Sequence, residues 1–141
     1  MNKFAQMMNY FTGRAPFEAQ NIQHMTQILM FITDTPSVFY SELQRLIKLI
    51  QPTYIVHTGD LVDDIKLQLH PGAIRHYERQ VLSLIKILEG SPAAEVYIAL
   101  GNHDSPDYIH SRVQRIKVID DADQVKINHI KLSMSDRKSV V

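Results

Sequence analysis

The tetrapeptide Gly101-Asn102-His103-Asp104 stands directly after the apolar run Val96-Tyr97-Ile98-Ala99-Leu100. Two earlier apolar runs also end in potential ligands. Tyr54-Ile55-Val56-His57-Thr58 runs into Gly59-Asp60-Leu61-Val62-Asp63-Asp64, and Ile28-Leu29-Met30-Phe31-Ile32 runs into Asp34. Carboxylate and amide oxygens are hard donors that suit divalent cations. The chain has no cysteine, so a bound metal must sit on oxygen and nitrogen. An α/β sheet gathers ligands outside the carboxyl ends of its strands, which is where these residues fall. Gly59 permits the tight turn that lets Asp60 reach inward. Plainer roles are open to the same residues: Asp60, Asn102 and His103 could hold turns, and Asp34 before Thr35-Pro36 could be a turn acid.

The elements that must position these groups alternate between strand and helix. The first strand is expected at about Gln27 to Thr33. Pro36 holds Thr35 out of the helical region, Ser37 is the expected N-cap, and Phe39, Leu43, Leu46, Ile47 and Ile50 give an apolar helical stripe. Pro52 stops that helix, and Thr53 to His57 is the second strand. A loop from Leu61 to Pro71 leads to a helix from about Ala73 to Leu88, whose apolar positions include Ile74, Val81, Leu84, Ile85 and Leu88. Gly90-Ser91-Pro92 ends it, and Glu95 to Leu100 is the third strand. Such a β-α-β-α-β order implies an α/β fold with a parallel sheet and right-handed crossovers. Beyond it a short helix is expected over Pro106 to Arg115 and a strand over Ile116 to Ile119. A hairpin is expected from Val125-Lys126-Ile127 and Ile130 to Met134 around Asn128-His129.

The ordered set Asp34, Gly59-Asp60-x-x-Asp63 and Gly101-Asn102-His103-Asp104 resembles the calcineurin-like metallophosphoesterase superfamily over Thr26 to Ser135. The resemblance implies hydrolysis of phosphomonoesters or phosphodiesters by a metal-activated water. It implies that Asp60 bridges two metal ions, that Asp34 binds the first, and that Asn102 binds the second through its amide oxygen. It also implies that His103 faces the leaving-group oxygen as general acid or charge stabiliser, with Asp104 favouring the imidazolium and orienting the ring. Mn²⁺ is the expected ion, with Mg²⁺, Fe or Zn²⁺ as alternatives. Asp63 stands behind the ligands or on a solvated loop. The sequence departs from the family pattern in places. Asp34-Thr35-Pro36 stands where the family has Asp-x-His, Asp136 stands near the position of a later histidine, and no Gly-His pair occurs. The alternative reading is therefore a truncated or degenerate domain with weak or no catalysis, acting as an interaction module or needing a partner chain.

The 141 residues suit one domain. Residues 1–25 read as an N-terminal appendage, helical from the spacing of Phe4, Met7, Met8 and Phe11. Residues 26–141 read as the metallophosphoesterase-like domain without its C-terminal part, truncated or naturally short after the hairpin. An open sheet edge would remain, inviting a homo-oligomer. Fifteen basic and fifteen acidic residues cancel, so there is no electrostatic case for nucleic-acid or membrane binding. The partner expected is a phosphoester substrate. The missing cysteines and the lack of an apolar signal segment fit the cytoplasm. Of the other histidines, His57 is expected to be a hydrogen-bonded core residue, and His76, His110 and His129 surface residues.

Overall fold

The computed structural model of the chain describes residues 25–62, 71–101, 104–119, 124–127 and 130–133. Short apolar runs bounded by turn residues form β1 (Leu29–Ile32), β2 (Tyr54–His57), β3 (Glu95–Ala99) and β4 (Lys117–Ile119). They pair in parallel, in chain order, with Ile32 beside His57 and His57 beside Ile98. Parallel neighbours cannot be joined by hairpins. The crossovers carry α1 (Tyr40–Ile50), α2 (Ile74–Glu89) and α3 (Pro106–Arg112). Sequential strand order with one hand of crossover puts every helix on the same face. The core follows from this. Leu43 and Ile47 of α1, Val81, Leu84, Ile85 and Leu88 of α2, and Ile109 of α3 pack with Ile55, Val96 and Ile98 of the sheet. Each such aliphatic side chain contributes roughly 1.5–3 kcal/mol by burial.

Alternate strand residues point the other way. Val56, Tyr97, Ala99 and Ile119 form a second buried cluster, closed by Ile127. Ile127 belongs to an antiparallel pair, β5 (Gln124–Ile127) and β6 (Ile130–Ser133). Among the described residues, no helix is long and apolar enough to cross a membrane.

The elements fall where expected, but several ends differ. Ser37 does not cap α1. Pro36, in extended conformation, stands at the N-cap of a one-turn 3-10 segment, Ser37–Phe39, that leads into the helix. The Phe39 N–H donates to the Pro36 carbonyl at 2.9 Å. The proline fixes an extended backbone, and its carbonyl opens the turn. Helix α1 ends with Gln51 in the left-handed region, φ 52°, just before Pro52. Ile74 lies exposed instead of on the buried stripe of α2, and Tyr77, fully buried, opens that stripe. Gly90 stays right-handed at the end of α2. The end of the helix is satisfied from a distance. Arg115 Nε donates to the Glu89 carbonyl at 2.8 Å, and its Nη2 donates to the carbonyls of Leu88 at 3.1 Å and Ser91 at 2.8 Å. That task pulls the chain out of α3 after Arg112, with Val113 extended, three residues before the expected end. The expected appendage, through residue 24, and the turn Asn128-His129 lie outside the described residues.

Candidate active site

In-register parallel strands deliver their following residues to one edge of the sheet. After β1 comes Asp34 with φ 46°, and after β2 come Gly59 with φ 106° and Asp60 with φ 50°. Aspartate is among the few side chains that enter the left-handed region at modest cost, and glycine enters it freely. Two successive residues in that region turn the chain sharply, and the Asp60 carbonyl then accepts from the Thr35 N–H at 3.3 Å. The two acid-bearing turns are thereby tied backbone to backbone.

A buried chain of hydrogen bonds reinforces the tie. The Gly59 N–H donates to His57 Nδ1 at 3.1 Å, so that nitrogen is an acceptor and the ring proton sits on Nε2. Nε2 then donates to Thr35 Oγ1 at 3.0 Å, and the Thr35 hydroxyl donates to the Leu61 carbonyl at 2.9 Å. The Tyr40 hydroxyl donates to the same carbonyl at 2.6 Å. His57 is fully buried, and loss of hydration pushes its imidazole down to about 4, against a weaker upward pull from Asp34. It is the neutral core histidine that the sequence leads one to expect.

The third turn closes on the second. Asp104 Oδ2 accepts from the Asp60 N–H at 2.8 Å and the Gly101 N–H at 2.7 Å. Its Oδ1 accepts from the Leu61 N–H at 3.0 Å and the Tyr77 hydroxyl at 3.3 Å. Burial pushes the Asp104 carboxyl above its ordinary value, while the N–H groups of Gly101, Leu61 and Asp60 pull it back. Burial, with Asp104 beside it, raises the Tyr77 phenol and keeps its proton in place. The approach of the two turns leaves no room for side chains. A Cβ on Gly101 would lie 2.5 Å from Asp60 Oδ1 and 2.6 Å from the Asp60 nitrogen, and a Cβ on Gly59 would meet the Gly101 backbone. The Asp60 carboxylate thus rests against the turn that leads into Asn102.

The sequence model of one family, described as calcineurin-like phosphoesterase, matches residues 29–136, most of the chain. This chain belongs to the calcineurin-like phosphoesterase family. The parallel sheet layered with helices is consistent with that family's fold, and at family level the function is of phosphoesterase type. Comparison with curated proteins and with solved structures gives no match.

Calcineurin-like phosphoesterases are generally dependent on divalent metal ions. In this one, two of the three expected ligands, Asp34 and Asp60, stand on adjoining turns. That donor set suits an oxygen-liganded cation in part. Among the described residues, no group of three or more histidine, aspartate, glutamate or cysteine side chains comes together to hold an ion. Asn102, His103 and the Asp63-Asp64 pair lie outside the described residues. Asp104, expected beside His103, is turned toward the backbone of its own turn and of the Asp60 turn. His76 and His110 are exposed, as expected. Three residues that hold the site were missed in the sequence: Thr35, Tyr40 and Tyr77. Tyr77 fits the apolar stripe of α2, which is a signal, but a stripe does not reveal what its hydroxyl reaches.

Proposed function

We propose that this calcineurin-like phosphoesterase hydrolyses phosphomonoesters or phosphodiesters with a divalent ion, Mn²⁺ being the first candidate, held by Asp34, Asp60 and Asn102. The observation that carries this reading is the tie between the Asp34 and Asp60 turns, with the Gly101 turn set against Asp60, in a chain of this family. A divalent ion bound there supplies charge neutralisation for the phosphoryl oxygens and a water ionised near neutral pH. The chain supplies the rest. Asp34 and Asp60 bring hard anionic oxygens, and Asn102 adds an oxygen without a further negative charge. His103, next in the chain, gives a proton to the ester oxygen as the P–O bond breaks, or neutralises the charge on it. Such a group contributes about 10²–10⁴-fold. The Thr35, His57 and Tyr40 bonds keep both acid turns in place and need no part in proton transfer.

The test is hydrolysis of p-nitrophenyl phosphate and bis-p-nitrophenyl phosphate with added Mn²⁺. Activity is expected only with the ion and is lost in Asp60→Ala and in His103→Ala. Turnover that persists in chelator, or in both variants, refutes the proposal.

A further inference from the structure

The Asp104 carboxylate accepts four hydrogen bonds, and among the described residues none of its donors is a cation or a histidine. A carboxylate offers about four lone-pair positions. Here four donors fill them: the N–H groups of Asp60, Leu61 and Gly101 and the Tyr77 hydroxyl. The three amides belong to two turns, one after β2 and one after β3. Tyr77 anchors the arrangement to α2, because its hydroxyl also accepts from the Ser105 N–H at 2.9 Å. Tyr77 is fully buried on the helical face of the sheet. A helix therefore reaches through one hydroxyl to the residue that joins both turns.

We infer that Asp104 and Tyr77 are positioning residues, a clasp that sets the spacing between the Asp60 carboxylate and the turn bearing Asn102. With its lone pairs filled, Asp104 has no capacity left to orient the His103 ring. The inference rests on the reading of Asp60 and Asn102 as metal ligands, and it changes the role of Asp104 from reaction partner to frame. Replacing Asp104 by asparagine turns one oxygen into a donor, which must face at least one backbone N–H. Replacing Tyr77 by phenylalanine removes only the hydroxyl and leaves the Ser105 N–H without its acceptor.

The experiment has two readouts on the full chain. The first is amide exchange and proton shift by NMR without added metal. The Asp60, Leu61 and Gly101 amides are expected downfield and protected in the native chain, with exchange about 10-fold faster or more in Asp104→Asn. The second is Mn²⁺ affinity by calorimetry, expected to fall about 10–100-fold in Asp104→Asn and by a smaller factor in Tyr77→Phe. Tyr108→Phe is the control, since it removes a hydroxyl bond to the Glu78 carbonyl, at 3.1 Å, without touching the turns. It is expected to lower stability comparably and leave Mn²⁺ affinity alone. Should Asp104→Asn fail to fold, Tyr77→Phe carries both readouts. Unchanged affinity and exchange in the variants overturn the clasp. So does unchanged affinity with a displaced pH profile of kcat, which would mean that Asp104 acts on His103. If the native chain binds no Mn²⁺, the metal reading fails, and the amide exchange alone still decides the clasp.

Discussion

Protonating His57 would place an N–H on Nδ1, the atom that accepts from the Gly59 N–H. The folded chain resists this, and its imidazole titrates at about 4, against the ordinary 6.5 of the unfolded chain. As pH falls, the unfolded chain takes up the proton first. Stability is therefore lost between about pH 6.5 and pH 4 and levels off below, by about 3 kcal/mol from this residue. Urea unfolding at pH 7 and pH 4.5 is expected to show the loss, and His57→Gln to flatten it. The glycines give a second test at this scale. Gly101→Ala forces a Cβ against the Asp60 nitrogen and carboxylate, and is expected to cost about 1–3 kcal/mol and to weaken Mn²⁺ binding as well. Gly59→Ala adds the strain of a φ of 106° and is expected to cost more in the same melts. Asp34, Asp60 and the Gly101 tetrapeptide could be read in the sequence because each follows an apolar run. Thr35 and Tyr77 could not, because their partners lie 22 and 27 residues away and meet them only once the sheet is aligned.

At the scale of elements, the end of α2 shows what local patterning leaves out. A glycine after a helix normally signals a left-handed stop. Gly90 does not take it, because the guanidinium of Arg115 supplies the missing donors to the last carbonyls. A cation there also opposes the negative end of the helix dipole. Arg115→Ala is expected to destabilise the chain by about 2 kcal/mol, the scale of a charged hydrogen-bond donor, read as a shift in urea midpoint. Arg115→Lys should restore only a minor share, since a point charge cannot reach several carbonyls at once. Strand and helix order was legible from the spacing of Leu43, Ile47, Val81 and Leu84, as was the parallel sheet. Two of the ends, at Gly90 and Val113, were set by Arg115 contacts that cross the chain, and no local window contains those.

At the scale of the molecule, placing all three crossover helices on one face leaves the other face of the sheet to a different partner. Ile127 of β5 fills part of that role, buried against Val56, Tyr97, Ala99 and Ile119. Ile127→Ala is expected to cost about 2–4 kcal/mol in an unfolding titration, and a neutral result would mean that β5 contributes nothing to the sheet. A sheet buried on both faces also has a problem of alignment, since sliding a strand trades one apolar surface for another and hydrophobic patterning discriminates weakly. The meeting of Gly59 and Gly101 supplies the missing discrimination. With Val56 beside Tyr97 and His57 beside Ile98, the two glycines come together where neither tolerates a Cβ. A slip of one residue, about 3.3 Å, would bring Thr58 or Asp60 to Gly101, or Leu100 or Asn102 to Gly59, and the turns could not close. The pair acts as a proofreader of strand alignment, admitting only the in-register chain to the step at which the Asp60 turn closes against Gly101.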